Sequence, residues 1–158
     1  MYSFEIDTEA LTKLGEDIEE SAKIDPENME WLLTRIGVFF VGEVKQNFLQ
    51  ARDPYGNAWA PFTREPSQKR GGSSAKLLMD TGRLVGSITH SLEIMTNSSK
   101  VTVGTPVTYA DFHQSGTPRN VARPFFPTLG KLPAPWEKHV LSSIELLFNK
   151  IYNNNKTS

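Results

Sequence analysis

Asp25-Pro26 opens the longest periodic stretch of the chain. Asp25 can accept a backbone hydrogen bond as an N-cap, and Pro26 suits the first turn, where its missing N–H is not needed. Met29, Leu32, Leu33, Ile36, Phe39, Phe40, Val44 and Phe48 then recur at helical spacing. The pattern predicts a helix to about Gln50, roughly 35 Å long. A helix with so broad an apolar stripe must be covered, so it is the expected spine of the core. Gly37 and Gly42 interrupt it. Each weakens a helix by up to about 1 kcal/mol relative to Ala, which predicts close packing against another backbone.

The rest of the chain supplies the cover. Tyr2, Phe4 and Ile6 alternate with Ser3 and Glu5, the pattern of a strand with one buried face. Leu11, Leu14 and Ile18 predict a short helix capped by Asp7 or Thr8. Asp53-Pro54-Tyr55-Gly56 is turn chemistry, with Trp59 and Phe62 as its anchors. Thr63 to Lys76 is nearly free of apolar residues and reads as a long flexible loop. Asp80 to Leu84 reads as a turn with a local cap. Ile88, Leu92 and Ile94 predict a strand that returns through Thr96–Lys100 to Val101 and Val103. Pro133, Pro135 and Trp136 introduce a final helix, with Val140, Ile144, Leu147 and Ile151 on its apolar face and Leu141 and Phe148 in support. The expected fold is α+β: a small antiparallel β-sheet packed against a long central helix and a C-terminal helix, with a long flexible loop. Residues 1–152 form one domain, and the polar tail 153–158 is expected to fray.

Composition narrows the function classes. A net charge of −1 and a pI near 6.3 argue against a dedicated nucleic-acid binder, whose pI usually exceeds about 9. Without cysteine there is no disulfide, thiolate metal site or cysteine nucleophile. The N-terminus lacks the pattern of a secretory signal, and no stretch approaches the ~20 apolar residues of a membrane span.

The chemistry-bearing residues concentrate in Val103–Phe126, VGTPVTYADFHQSGTPRNVARPFF. Tyr109, His113 and Gln114 lie between breaks at Gly104-Thr105-Pro106 and Ser115-Gly116. Asp111 and His113, two apart, are a weak acid–base or metal signal; His90 and His139 stand far away. No G-x-S-x-G elbow surrounds a serine, and Gly71-Gly72-Ser73-Ser74 lacks the order of a phosphate loop. No catalytic residue, metal or cofactor is therefore expected, and the stretch is expected to fix a loop at a subunit interface. Arg64, Lys69, Arg70, Lys76 and Arg83 make the one basic concentration, suited to a protein partner or to phosphates. Arg123 with Phe125 and Phe126 has the make-up of an interface anchor. Both phenylalanines could pack into this domain's own core, but adjacent strand residues point to opposite faces, so one in the core and one toward a partner is the expectation.

Four segments in order resemble the phage virion morphogenesis family, which includes tail completion proteins. They are Asp53-Pro54-x-Gly56-x-x-Trp59; Leu78-x-x-Thr81-Gly82-x-Leu84-x-x-Ser87-Ile88; Gly104-Thr105 with Tyr109-Ala110-x-x-His113-Gln114-x-Gly116; and Ala122-Arg123-Pro124-Phe125. The resemblance covers about Phe48 to Phe126 and departs at Ser115, where a bulky residue often precedes the glycine. It implies a non-enzymatic virion protein of the neck or tail top. Such a protein forms a ring, expected to be hexameric, that completes the tail and joins it to the head connector. The implied partners are copies of itself, tail tube or sheath proteins and connector proteins, in the virion and, during assembly, in the host cytoplasm. The interface or loop-anchoring residues would be Trp59, Arg64, Lys69, Arg70, Arg83, Tyr109, His113, Gln114, Arg123, Phe125 and Phe126. The alternative is a DNA-contacting module that meets genomic DNA in the head–tail channel through the basic loop.

Overall fold

Asp25 ends its extended backbone by turning its carboxylate onto the N–H of Asn28, at 2.8 Å, and the spine helix starts there. A computed structural model describes residues 1–7, 24–61, 78–79, 81–95, 99–128 and 131–156. The expected short helix around Leu11–Ile18, the Thr63–Lys76 loop and Phe62 lie outside the described residues, as do Thr96–Ser98. The elements are β1 (Tyr2–Asp7), α1 (Pro26–Gln50), α2 (Arg83–Gly86), β2 (Thr89–Ile94), β3 (Ser99–Thr105), α3 (Ala110–Ser115) and α4 (Ala134–Lys156). Together they are the expected α+β fold.

Helix α1 buries Met29, Leu32, Leu33, Ile36, Phe40, Val44 and Phe48, the predicted stripe save Phe39, which is half-buried. The helix stops at Ala51, in the left-handed region at φ 49°, whose N–H reaches back to the carbonyls of Asn47 and Phe48. One face of the sheet lies on α1. The strand order is β1-β3-β2, all antiparallel, with Phe4 opposite Val103 and Ile6 opposite Val101. Those four side chains are buried, whereas the other face carries Lys100 bridging Glu5 (3.0 Å) and Glu93 (3.4 Å).

Gly37 is where helix and sheet touch most closely. A Cβ there would lie 2.7 Å from the His90 ring and 2.9 Å from Val101. The close approach expected of Gly37 is real, although side chains rather than backbone make it. Gly42 corrects the expectation: nothing lies within 4 Å of its missing Cβ, and it faces outward.

Helix α4 crosses the spine through Trp136, Val140, Ile144 and Leu147, all buried. Trp136 stacks on Phe40 at 5.3 Å and donates its indole N–H to Glu43 at 3.2 Å. Leu141, expected in the apolar face, is exposed. The helix runs on to Lys156, past the last apolar residue of the pattern, so Asn153 to Lys156 are helical.

Candidate functional site

The Val103–Phe126 stretch is built as a loop held by side chains. Strand β3 ends at Thr105, whose buried hydroxyl lies 2.6 Å from that of Ser87 and accepts the N–H of Val107 at 3.1 Å. The chain turns through Pro106–Tyr109 into α3, which carries Ala110 to Ser115, with Tyr109 at its N-cap. Gly116 ends that helix at φ 77°, and a Cβ on it would meet the Ala122 nitrogen at 2.9 Å. A tight turn follows, with Thr117 and Asn120 exchanging backbone hydrogen bonds of 2.8 and 3.1 Å. The chain then comes back along α3, and the Arg123 N–H donates to the His113 carbonyl at 2.7 Å.

From here on the backbone has no partner strand among the described residues, and side chains satisfy it. The Gln114 amide oxygen accepts the N–H groups of Phe125 and Phe126, both at 3.0 Å. Its amide nitrogen donates to the Phe126 carbonyl at 3.0 Å. Asn47, buried on α1, donates to the Phe125 carbonyl at 3.2 Å. The Trp59 indole donates to the Pro124 carbonyl at 2.7 Å. The Tyr55 hydroxyl accepts the Thr128 N–H at 2.9 Å and donates to the Lys131 carbonyl at 2.7 Å. Burying backbone polar groups without partners is costly, and this clamp meets that need without a sheet.

The Asp53 turn supplies half the clamp. Its carboxylate accepts the N–H groups of Tyr55 and Asn57 and the Asn57 side-chain amide, all within 2.9 Å. Trp59 is buried edge-on to Phe48. Arg123 is also buried. Its guanidinium donates to the carbonyls of Ala60 (2.9 Å) and Pro61 (2.8 Å), tying residues 60–61 to the far end of the clamp.

Phe125 and Phe126 correct the expectation that one of them faces a partner, for both are buried in the core of this chain. Phe125 packs on Phe48 at 5.0 Å, and Phe126 packs on Phe4 at 5.4 Å and stacks on Tyr2 at 5.7 Å. The large exposed apolar residues of the loop are Phe112 (55%) and Val121 (47%).

His113 is half-buried and edge-on to Tyr109, and its Nδ1 has no hydrogen-bond partner among the described residues. Burial first, and the Arg123 charge second, hold its pKa below the ordinary value. Asp111 takes the Ser115 hydroxyl at 3.2 Å. Among the described residues no group of His, Asp and Glu is placed to hold a metal ion. Arg83 and Tyr109 meet at a cleft of about 260 Å³, with Ser87, Pro106, Val107 and Thr108 as its other walls. Arg64, Lys69 and Arg70 lie outside the described residues. Asn47 and Tyr55 were not singled out from the sequence. Asn47 was findable, because it shares the buried helical face of Phe40 and Val44. Tyr55 carries no such signal, since its partners Thr128 and Lys131 are distant in sequence.

The fold and clamp define an α+β protein whose most elaborated part holds a loop in one shape. The model of the phage virion morphogenesis family matches residues 6–134, and the chain belongs to that family. Its role is thus structural, in the assembly of the phage virion. Comparison with curated proteins and with solved structures finds no significant match. No helix among the described residues is long and apolar enough to cross a membrane.

Proposed function

We propose that this chain is a ring-forming tail completion protein at the phage neck or tail top, joining the tail to the head connector. The observation that carries this reading is the clamp, which presents Phe112 and Val121 on a backbone fixed at Pro124, Phe125 and Phe126. A rigid loop with an exposed aromatic loses little conformational freedom on docking, and aromatics dominate interface energies. Head-to-tail contacts that close by rotation make a ring, and a sixfold ring is the reading that the family resemblance favours. The neighbours are copies of this chain, tail tube or sheath proteins and connector proteins.

The test is complementation of phage-producing cells in which the gene for this chain is deleted. Heads and tails should accumulate unjoined, and added purified protein should restore infectious particles. Electron microscopy of those tails should show a ring at the tail end that is absent without the protein. Infectious particles formed in the absence of the chain would refute the reading.

A further inference from the structure

Strand β2 is an edge of the sheet. Its inner side pairs residue for residue with β3, from Thr89 opposite Gly104 to Ile94 opposite Ser99. Its outer side has no partner strand among the described residues. Such an edge offers a row of free N–H and C=O groups to any extended chain. Proteins that keep an edge solitary block it with proline, a bulge or unpaired charge, lysine above all. β2 reads Thr-His-Ser-Leu-Glu-Ile, with no proline, no lysine and an unbroken register. Its one formal charge, Glu93, is already paired with Lys100 at 3.4 Å. Ile94 (36%) and Met95 (60%) add exposed apolar surface at its end.

We propose that β2 pairs antiparallel with β2 of a second copy across a twofold axis, fusing two three-stranded sheets into one of six. Charge selects this occupant. Residues opposite each other across a twofold pair must lie on the same side of the sheet, so the axis passes through Ser91 or through Leu92. The first choice sets Glu93 against Thr89 and the second sets it against Ser91. Either way the acid meets a hydroxyl. Both choices also bring the His90, Leu92 and Ile94 rows of the two copies together on the α1 side, covering Ile94. Extending the sheet with β1 of another copy is the rival arrangement. β1 and β2 both run antiparallel to β3 and so parallel to each other. Continuing the sheet in that sense puts Glu93 beside Asp7 or Glu5, and like charges directly opposite destabilise. The pairing concerns the free protein and does not rest on the ring reading.

The chain has no cysteine, so a single introduced thiol can only cross-link to its own copy. Directly opposite antiparallel residues lie about 4.5–5.5 Å apart at Cα, within disulfide reach. The experiment makes Ser91→Cys and Leu92→Cys, with Ser3→Cys on β1 as control, and reads oxidised samples on non-reducing gels. In parallel, light scattering measures wild type and Ile94→Lys over a concentration series. The wild type should reach twice the 17.7 kDa chain mass. One of the two β2 thiols should cross-link to near completion and Ser3→Cys should not. Ile94→Lys should weaken the dimer at least tenfold with an unchanged circular dichroism spectrum. A wild type that stays monomeric, or equal cross-linking from Ser3→Cys, would overturn the pairing. So would a larger species that survives Ile94→Lys without cross-linking at either β2 thiol, and that result would leave the ring reading standing.

Discussion

Gln114→Leu isolates the clamp, because leucine keeps much of the side-chain volume and removes all three polar contacts. The N–H groups of Phe125 and Phe126 lose their acceptor, and the Phe126 carbonyl loses its donor. An orphaned buried backbone group costs about 1–3 kcal/mol. These groups are partly buried, so water reaches some of them, and the expected loss is about 2–5 kcal/mol. For a chain of this size that corresponds to a fall in Tm of roughly 5–15 °C. Urea denaturation gives the free energy, and a constant m-value would show that the compactness of both states is retained. Ser115→Ala is the control on the same short helix. It removes an exposed 3.2 Å bond to Asp111, so it should change stability by less than about 0.5 kcal/mol. Trp59→Phe removes the bond to the Pro124 carbonyl, one residue from the segment Gln114 holds. The double variant should therefore show a coupling of at least about 0.5 kcal/mol. A Gln114→Leu loss below about 0.5 kcal/mol, or strict additivity with Trp59→Phe, would refute the clamp as the element that fixes this loop.

Gly37→Ala should destabilise despite alanine's better helix propensity, since the new methyl would meet His90 and Val101 below 3 Å. Gly42→Ala should raise stability by about 0.5–1 kcal/mol, because the site is open; thermal melts of the pair decide both. Burial, backed by Arg123 at His113 and by Arg35 at His139, holds both histidines below the ordinary value of 6.5. Their contribution is therefore fully present above pH 6.5 and is lost as pH falls from there through the lowered folded values. Urea midpoints at pH 7.5 and 5.5 should drop for the wild type and converge for the His113→Gln, His139→Gln double variant. Phe112→Ala should leave Tm unchanged yet reduce tail completion at least tenfold in the complementation assay, and equal yields would remove Phe112 from the interface.

The spine helix was legible because its signals are local: a capping aspartate, a proline at the first turn and an apolar period over seven turns. The strands themselves and the β2–β3 hairpin were legible for the same reason, in the alternation of Phe4 and Ile6 and of Val101 and Val103, but the pairing of β1 with β3 was not, because it joins residues about 100 apart. The clamp residues were partly legible as residue types, yet their partners were not. Asn47 and Phe125 are 78 residues apart, Trp59 and Pro124 are 65 apart, and the acceptors are main-chain carbonyls with no sequence signature. The error at Phe125-Phe126 has one cause. Alternation of faces belongs to a strand, and here a glutamine amide takes the place of the neighbouring strand, so the rule of two does not apply.

The Trp59–Pro124 bond also sets an order of events. It closes a loop of 65 residues that contains β2, β3 and α3. Loop closure is entropically unfavourable, and the hairpin inside the loop shortens the effective distance once formed. The clamp should therefore shut after the β2–β3 hairpin has formed, whereas β1, whose partners on β3 are still more distant in sequence, gains no such order from it. Loosening it should speed unfolding far more than it slows folding. In a protein destined for a particle that must survive outside the cell, the lifetime of the folded state would then be governed by one indole and one amide.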